Sequence, residues 1–396
     1  MDKKVSNGMN HRIYLDYAAA APLDPRVKKA MDGYLAHGGA NPSGLYQEGR
    51  ESQKALRDAR KTAAGFIGAK THEIIFTSST TESNNLAILG SARANQGYGR
   101  HLITTQAEHT SVLNVFKRLE SDGFKVDYLP VDQYGRVSAD QIKQAIRPNT
   151  ILVSVIFASN EIGSINLVRP IGQIIKGVKG EEKGKNGLPL FFSDAAQAAP
   201  HIKINVSDLC LDMMSFSASK IYGPKGAAAL YVKTGTKISP IMLGGSQESG
   251  LRPGTQDVAG IVGFAQAIKI IESERETEDA WLAGFRDKII KEIKDAVPEV
   301  LLNGHPQDRL ANNVNFSIPG IKAEELVLAM DEQGFALSTR SACDAKNLTP
   351  PHVIKAIGRS DEEAWGTVRI TLGRFTIFED VERFIKIFVG EINKLK

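Results

Sequence analysis

Five times between residues 73 and 220 the chain lays down a short apolar run, closes it with small polar residues and moves on into a new segment. The stretches are "EIIFTSSTTESNNLAIL", "HLITTQAEHTSVLNVF", "TILVSVIFASNEIG", "LPLFFSDAAQAA" and "LDMMSFSASK". Strands so nearly continuous in apolar residues are buried on both faces. Their alternation with helical patterns calls for a mainly parallel sheet with helices on each side. Ligands of such sheets sit beyond the carboxyl ends of the strands. The polar residues that close the runs are therefore candidates to meet in one crevice: Ser79, Thr80, Thr81, His109, Asn160, Asp194, Gln197 and Lys220.

From about residue 261 the texture changes to a long charged helical pattern, then to sheet-like runs such as "NNVNFSI" and "WGTVRITLG". The expected class is α/β, with a large domain over residues 14–260 and a smaller α+β domain over 261–396. The N-terminal segment 1–25 is a candidate addition to the smaller one. Residues 176–188, "KGVKGEEKGKNGL", read as an exposed charged loop.

Bulk properties narrow the function. The chain has 396 residues, and its 49 basic and 45 acidic residues leave a formal net charge of +4 spread along the whole length. That is too diffuse for a nucleic-acid footprint, so no direct nucleic-acid partner is expected. The first residues lack the apolar core of a secretory signal, and no apolar run reaches membrane-spanning length. The expected location is cytoplasmic. Two cysteines, Cys210 and Cys343, cannot build a disulfide framework or a multi-cysteine zinc site, and no metal is expected. Neither a P-loop nor a dinucleotide fingerprint is present.

The chemistry emerges from the residues together. "TSSTTES" follows a strand and opens a helix, so its hydroxyls and backbone N–H groups can cap that helix or cradle a phosphate at its positive end. Asp194 ends a buried strand, where a carboxylate is costly unless a cation meets it. Lys220 follows a run of small and apolar residues with no acid beside it. A lysine for a Schiff base, a carboxylate for a pyridine nitrogen and a hydroxyl-rich phosphate cup are the three things pyridoxal 5'-phosphate requires of a protein.

At this point the sequence resembles a known family. From "YLDYAAAAPLDPRV" to "VRITLGRFT" it is similar to the cysteine desulfurases of iron–sulfur assembly, within the class V aminotransferases and their pyridoxal-phosphate-dependent transferase fold. The motifs that carry the likeness are "FTSSTTESNNLAI", "EHTSVLNV", "SNEIG", "SDAAQ", "SFSASKIYGPKGAAALYV", "GLRPGTQDV" and "RSACDAKNLTPPHVIKAIG". The resemblance implies that Lys220 holds the cofactor covalently and moves protons, that Asp194 pairs with the pyridine nitrogen, that His109 stacks on the ring and that Gln197 bonds its phenolic oxygen. It implies that Thr81 and Ser217 hold the phosphate, and Thr80 and Ser219 beside them are further candidates whose hydroxyls can donate to it. Thr255 would reach the phosphate of a neighbouring subunit, which makes the protein a homodimer. Asn160 and Arg369 match the residues that hold the substrate carboxylate, with Arg374 as the alternative. Cys343, on a loop from Ser341 to Pro351 that the resemblance makes mobile, would take sulfur from L-cysteine as a persulfide and pass it to a sulfur-acceptor protein for iron–sulfur assembly or tRNA thiolation. Arg340 and Lys346 near it favour a thiolate. Cys210, in "SDLCLDMMSF", reads instead as a small buried hydrophobe.

Four positions depart from the family pattern. Ser219 stands where a histidine usually precedes the lysine, Ser79 and Thr80 stand where glycine and alanine are common, and Ser249 replaces a common arginine. Other activities use the same parts: an aminotransferase, a selenocysteine lyase, or a scaffold protein that keeps the fold without turnover. Cys343 speaks against the aminotransferase, and the presence of both Lys220 and Asp194 against the scaffold.

Overall fold

The structure, a computed structural model, describes residues 12–36, 40–181, 187–339 and 350–396. Cys343 and most of its predicted loop lie outside the described residues.

A two-residue strand β1 (Ile13–Tyr14) and two helices, α1 (Pro25–Ala36) and α2 (Gln47–Phe66), precede the main sheet. Strand and helix then alternate as the apolar runs foretell: β2 (Ile74–Thr77), α3 (Thr80–Asn95), β3 (His101–Thr105), α4 (Thr110–Ser121), β4 (Lys125–Leu129), α5 (Ala139–Ala145), β5 (Thr150–Ser154), α6 (Val168–Glu181) and β6 (Leu190–Asp194). The strands β7 (Met213–Ser217) and β8 (Ala228–Val232) complete a seven-stranded sheet of order β2-β8-β7-β6-β5-β3-β4. Only β8 runs antiparallel to its neighbours.

Strands β3, β5, β6 and β7 are buried along their full length, which is why their sequences show apolar runs in place of alternation. Successive side chains still divide between two cores. Ile75, Leu102 and Leu152 pack under α3 and α4. Ile74, Phe76, Ile103 and Val153 pack with α2, α6 and the first half of the next helix, α7 (Val258–Ala296).

Beyond α7 come β9 (Leu301–Leu302), β10 (Asn313–Ser317), α8 (Ala323–Glu332), β11 (Phe335–Ala336), α9 (His352–Ala356), α10 (Asp361–Trp365), β12 (Thr367–Thr371) and α11 (Phe378–Leu395). An antiparallel sheet of order β12-β10-β9 carries a separate core with α8 and α11. The 39-residue α7 runs through both lobes: Phe264, Ile268 and Ile271 serve the first core, Leu282, Ile289 and Ile293 the second. Ile13 and Leu15 also pack in the second core, where β1 lies parallel to β11.

The charged stretch from residue 176 is not a loop throughout, since α6 continues to Glu181. Lys179 reaches back to the buried Asp212, an ion pair that a reading of charge density alone does not foresee.

Candidate active site

The ends of the parallel strands open on a cavity of about 200 Å3. Ser79, Thr80, Thr81, His109, Asn160, Asp194, Gln197, Ser217, Ser219, Lys220 and Arg369 line it together. Of the predicted site residues within the described segments, Arg374, the alternative to Arg369, is absent from this wall, and so is Thr255. Thr255 is exposed on the segment that leads into α7.

Each side chain is placed by its element. Ser79 caps α3, its Oγ accepting from the backbone N–H of Glu82 at 3.1 Å, so the first turn of a 16-residue helix faces the cavity with Thr80 and Thr81. Ser217 ends β7, and its hydroxyl lies 3.4 Å from that of Ser219. A single 3-10 turn, Ala218–Lys220, turns the chain at the mouth of the sheet. It depends on Gly223, where a Cβ would come within 2.9 Å of the Ala218 carbonyl oxygen. Lys220 Nζ donates to the carbonyls of Ala18 at 2.7 Å and Ala19 at 2.5 Å. Gln197 Nε2 also donates to Ala18, at 3.0 Å, so the "YAAAA" turn forms the far wall.

Asp194 is 4% exposed, and its carboxylate accepts from Ala196 N–H and from the Asn84 amide, with no cation among those partners. His109 is the N-cap of α4; its Nδ1 accepts from Ser111 N–H at 3.1 Å. Behind it Glu108 is fully buried. Its Oε1 accepts from Ile156 N–H at 2.6 Å and from the Thr105 hydroxyl, while Oε2 has no partner among the described residues. Burial, with the charge of Asp194 adding to it, pushes this carboxyl up to about 8.

Arg369 and Arg374 separate clearly. Arg369, on β12, lines the cavity, donating to Asp16 Oδ1 at 2.7 Å and to the Asn160 carbonyl at 3.0 Å, while its buried Nε finds no partner among the described residues. Arg374 points elsewhere. It binds Asp24 and Glu278 and stacks over Tyr222 with its guanidinium carbon 4.3 Å from the ring centre. Ser249 is remote as well: it adopts a left-handed φ of 58° beside Glu248, whose carboxylate is taken by Arg60 and by Phe76 N–H.

Residue-by-residue reasoning overlooked Asp16, Ala18, Asn84, Glu108 and Ser111. Asp16 and Ala18 lie in a quoted motif, "YLDYAAAAPLDPRV", yet nothing local announces that the turn closes a cavity formed some 200 residues later. The donor set fits pyridoxal phosphate: hydroxyls and a helix N-terminus suit a phosphate, a buried carboxylate suits a pyridinium, and an amine stands between them.

A sheet of this topology with these groups at its carboxyl edge defines a class of protein, the α/β transferases that hold a cofactor between two lobes. The family follows: residues 13–384 match the aminotransferase class-V family, and the chain belongs to it. It is 43% identical over 388 residues to the cysteine desulfurase IscS of Dictyoglomus turgidum, covering 98% of this chain and 96% of that one. Against the cysteine desulfurase IscS of Methanosarcina thermophila the identity is 42% over 387 residues, covering 98% and 93%. Among solved structures, a NifS-like protein superimposes with a TM-score of 0.89 at 32% identity, over 97% of this chain and all of that one. SspA in complex with cysteine gives 0.80 at 36% identity, over 92% and 100%. Among the described residues no helix is long and apolar enough to cross a membrane, and no cluster of ligating side chains could hold a metal.

Proposed function

We infer that the chain is a cysteine desulfurase that takes sulfur from L-cysteine, leaves L-alanine and carries the sulfur as a persulfide on Cys343. The observation that carries this is the convergence of Lys220, Asp194 and the serine and threonine hydroxyls on one cavity, in a chain about 40% identical to named desulfurases over nearly its whole length.

Pyridoxal 5'-phosphate, when bound, supplies an electron sink conjugated to the substrate's carbon atoms. The protein supplies the rest. The Lys220 amine, which here rests on the carbonyls of Ala18 and Ala19, is the attachment point and afterwards the group that moves protons at the substrate carbon. Asp194 is a buried carboxyl group for which a protonated ring nitrogen is the natural partner. His109 forms an aromatic wall, and Gln197 offers an amide to a ring oxygen. Thr80, Thr81, Ser217 and Ser219 hold the phosphate with the first turn of α3. Arg369, held by the Asn160 carbonyl and by Asp16, binds the substrate carboxylate. The Cys343 thiolate attacks the sulfur of the substrate. An S–S bond forms as the C–S bond breaks, the electron pair of that bond passes to carbon, and a proton delivered there completes alanine. The persulfide then goes to a sulfur-acceptor protein.

Purified protein supplied with pyridoxal phosphate and L-cysteine is expected to yield alanine and, with a reductant, sulfide in equal amounts. Cys343→Ala is expected to bind the cofactor and lose nearly all alanine formation, while Cys210→Ala behaves as wild type. Undiminished alanine from Cys343→Ala removes Cys343 as the nucleophile and this mechanism with it.

A further inference from the structure

The geometry assigns a positioning role to Asn84: it orients the Asp194 carboxylate and, through Ser111, fixes the ring of His109. Asn84 is fully buried on the first turns of α3 and all its amide bonds are accounted for. The Asp194 carboxylate accepts, which settles that the amide nitrogen faces it and leaves Asn84 Oδ1 to accept from Ser215 Oγ at 2.6 Å. The amide nitrogen therefore donates twice, to Asp194 Oδ2 at 2.8 Å and to Ser111 Oγ at 2.8 Å.

The chain of donors continues from there. His109 Nδ1 accepts the Ser111 backbone N–H, and an N–H can only donate, so Nδ1 carries no proton. The Ser111 hydroxyl, 2.7 Å away, donates to the same nitrogen while it accepts from Asn84. The ring is thereby held as the Nε2–H tautomer. One amide thus ties the pocket's acid to its aromatic wall. It also presents a neutral donor to Asp194, which steadies the ionised carboxylate without supplying a competing positive charge.

This inference rests on the cofactor reading above, and its test separates the two. Holoenzyme reconstituted with pyridoxal 5'-phosphate is followed by its visible spectrum against pH and by its rate of cofactor loss on dilution. Asn84→Ala deletes both donors. Loss of a hydrogen bond to a charged group corresponds to roughly 10- to 100-fold faster cofactor loss, and the spectral transition is expected to move from its wild-type pH. Asn84→Asp keeps the volume but sets a second carboxylate against Asp194, so a displaced transition is expected here too, and this variant decides the matter if Asn84→Ala does not fold. If wild type takes up no cofactor, the parent reading fails. If wild type is loaded and both variants keep its transition and retention, losing only melting temperature, Asn84 is a structural residue and the inference is overturned.

Discussion

Lys220 Nζ donates to two backbone carbonyls, and neither of these neutral acceptors is left as a stranded charge when the amine moves to a better partner. Holoenzyme is therefore expected to show a visible band that borohydride abolishes, and Lys220→Ala to bind pyridoxal phosphate without the covalent link. A wild-type protein that stays colourless with excess cofactor removes the basis of the site. Ser219 lines the same cavity where a histidine is usual in the family. A hydroxyl bonding a phosphate makes a contact of about 1.5–3 kcal/mol, so Ser219→Ala should weaken cofactor retention by that amount in a binding titration. Glu108 makes a pH prediction. Its folded-state carboxyl lies above the ordinary range, so the folded chain keeps a proton that the unfolded chain releases. The stability it contributes is complete below pH about 4.5 and, as pH rises to about 8, falls by roughly 1.4 kcal/mol per pH unit. Glu108→Gln lacks that slope, and the difference in unfolding free energy between the two proteins should widen with pH across this window. A flat difference would show that Glu108 is ionised throughout.

Helix α3 shows what one element does twice. Ser79 caps it and also faces the cavity, so the two roles must be separated by chemistry. Ser79→Ala should cost about 1 kcal/mol of stability through the lost cap and weaken cofactor binding as well. Ser79→Asp restores a cap but places a negative charge where the phosphate belongs, so stability should recover while cofactor affinity falls further. Recovery of both would mean that α3 does not bind the phosphate. Elements of this kind were the legible part of the sequence. Parallel strands buried on both faces write themselves as apolar runs, and the rule that ligands lie past their carboxyl ends brought Ser79, Thr80, Thr81, His109, Asn160, Asp194, Gln197 and Lys220 to one cavity. What escaped were partnerships across long separations. Asn84 meets Asp194 across 110 residues and Arg369 meets Asp16 across 353, and no local pattern encodes either. Strand β8 escaped for another reason: a five-residue antiparallel strand has no following helix to mark it.

At the scale of the molecule, Thr255 stands outside the cavity that its own chain forms, although the family resemblance gives it a phosphate to hold. A second copy resolves this: we propose a homodimer in which each Thr255 completes the partner's cofactor site. We propose as well two domains whose boundary, expected at residue 260, falls within α7, because Phe264, Ile268 and Ile271 serve the first core and Leu282 the second, with the N-terminal segment added to the smaller through Ile13 and Leu15. Support for the dimer comes from the surface around Thr255. Just beyond it a hollow is lined by Tyr34, Leu35, Tyr46, Gln256 and Val258. Elsewhere on the large lobe Leu45 and Leu243 are each 89% exposed, and we propose that Leu243 is covered by the second copy. Sedimentation is expected to give twice the mass of the 43.0 kDa chain. Leu243→Asp discriminates well, because a residue this exposed in one chain contributes almost nothing to that chain's own stability. Its replacement by a charge should leave the monomer folded, shift the sedimenting species toward one chain, and cut cofactor retention in step. Thr255→Ala should weaken cofactor retention while the dimer persists. A Leu243→Asp protein that stays dimeric moves the interface away from Leu243, and a Thr255→Ala protein that keeps its cofactor as tightly as wild type ends the case for a shared site.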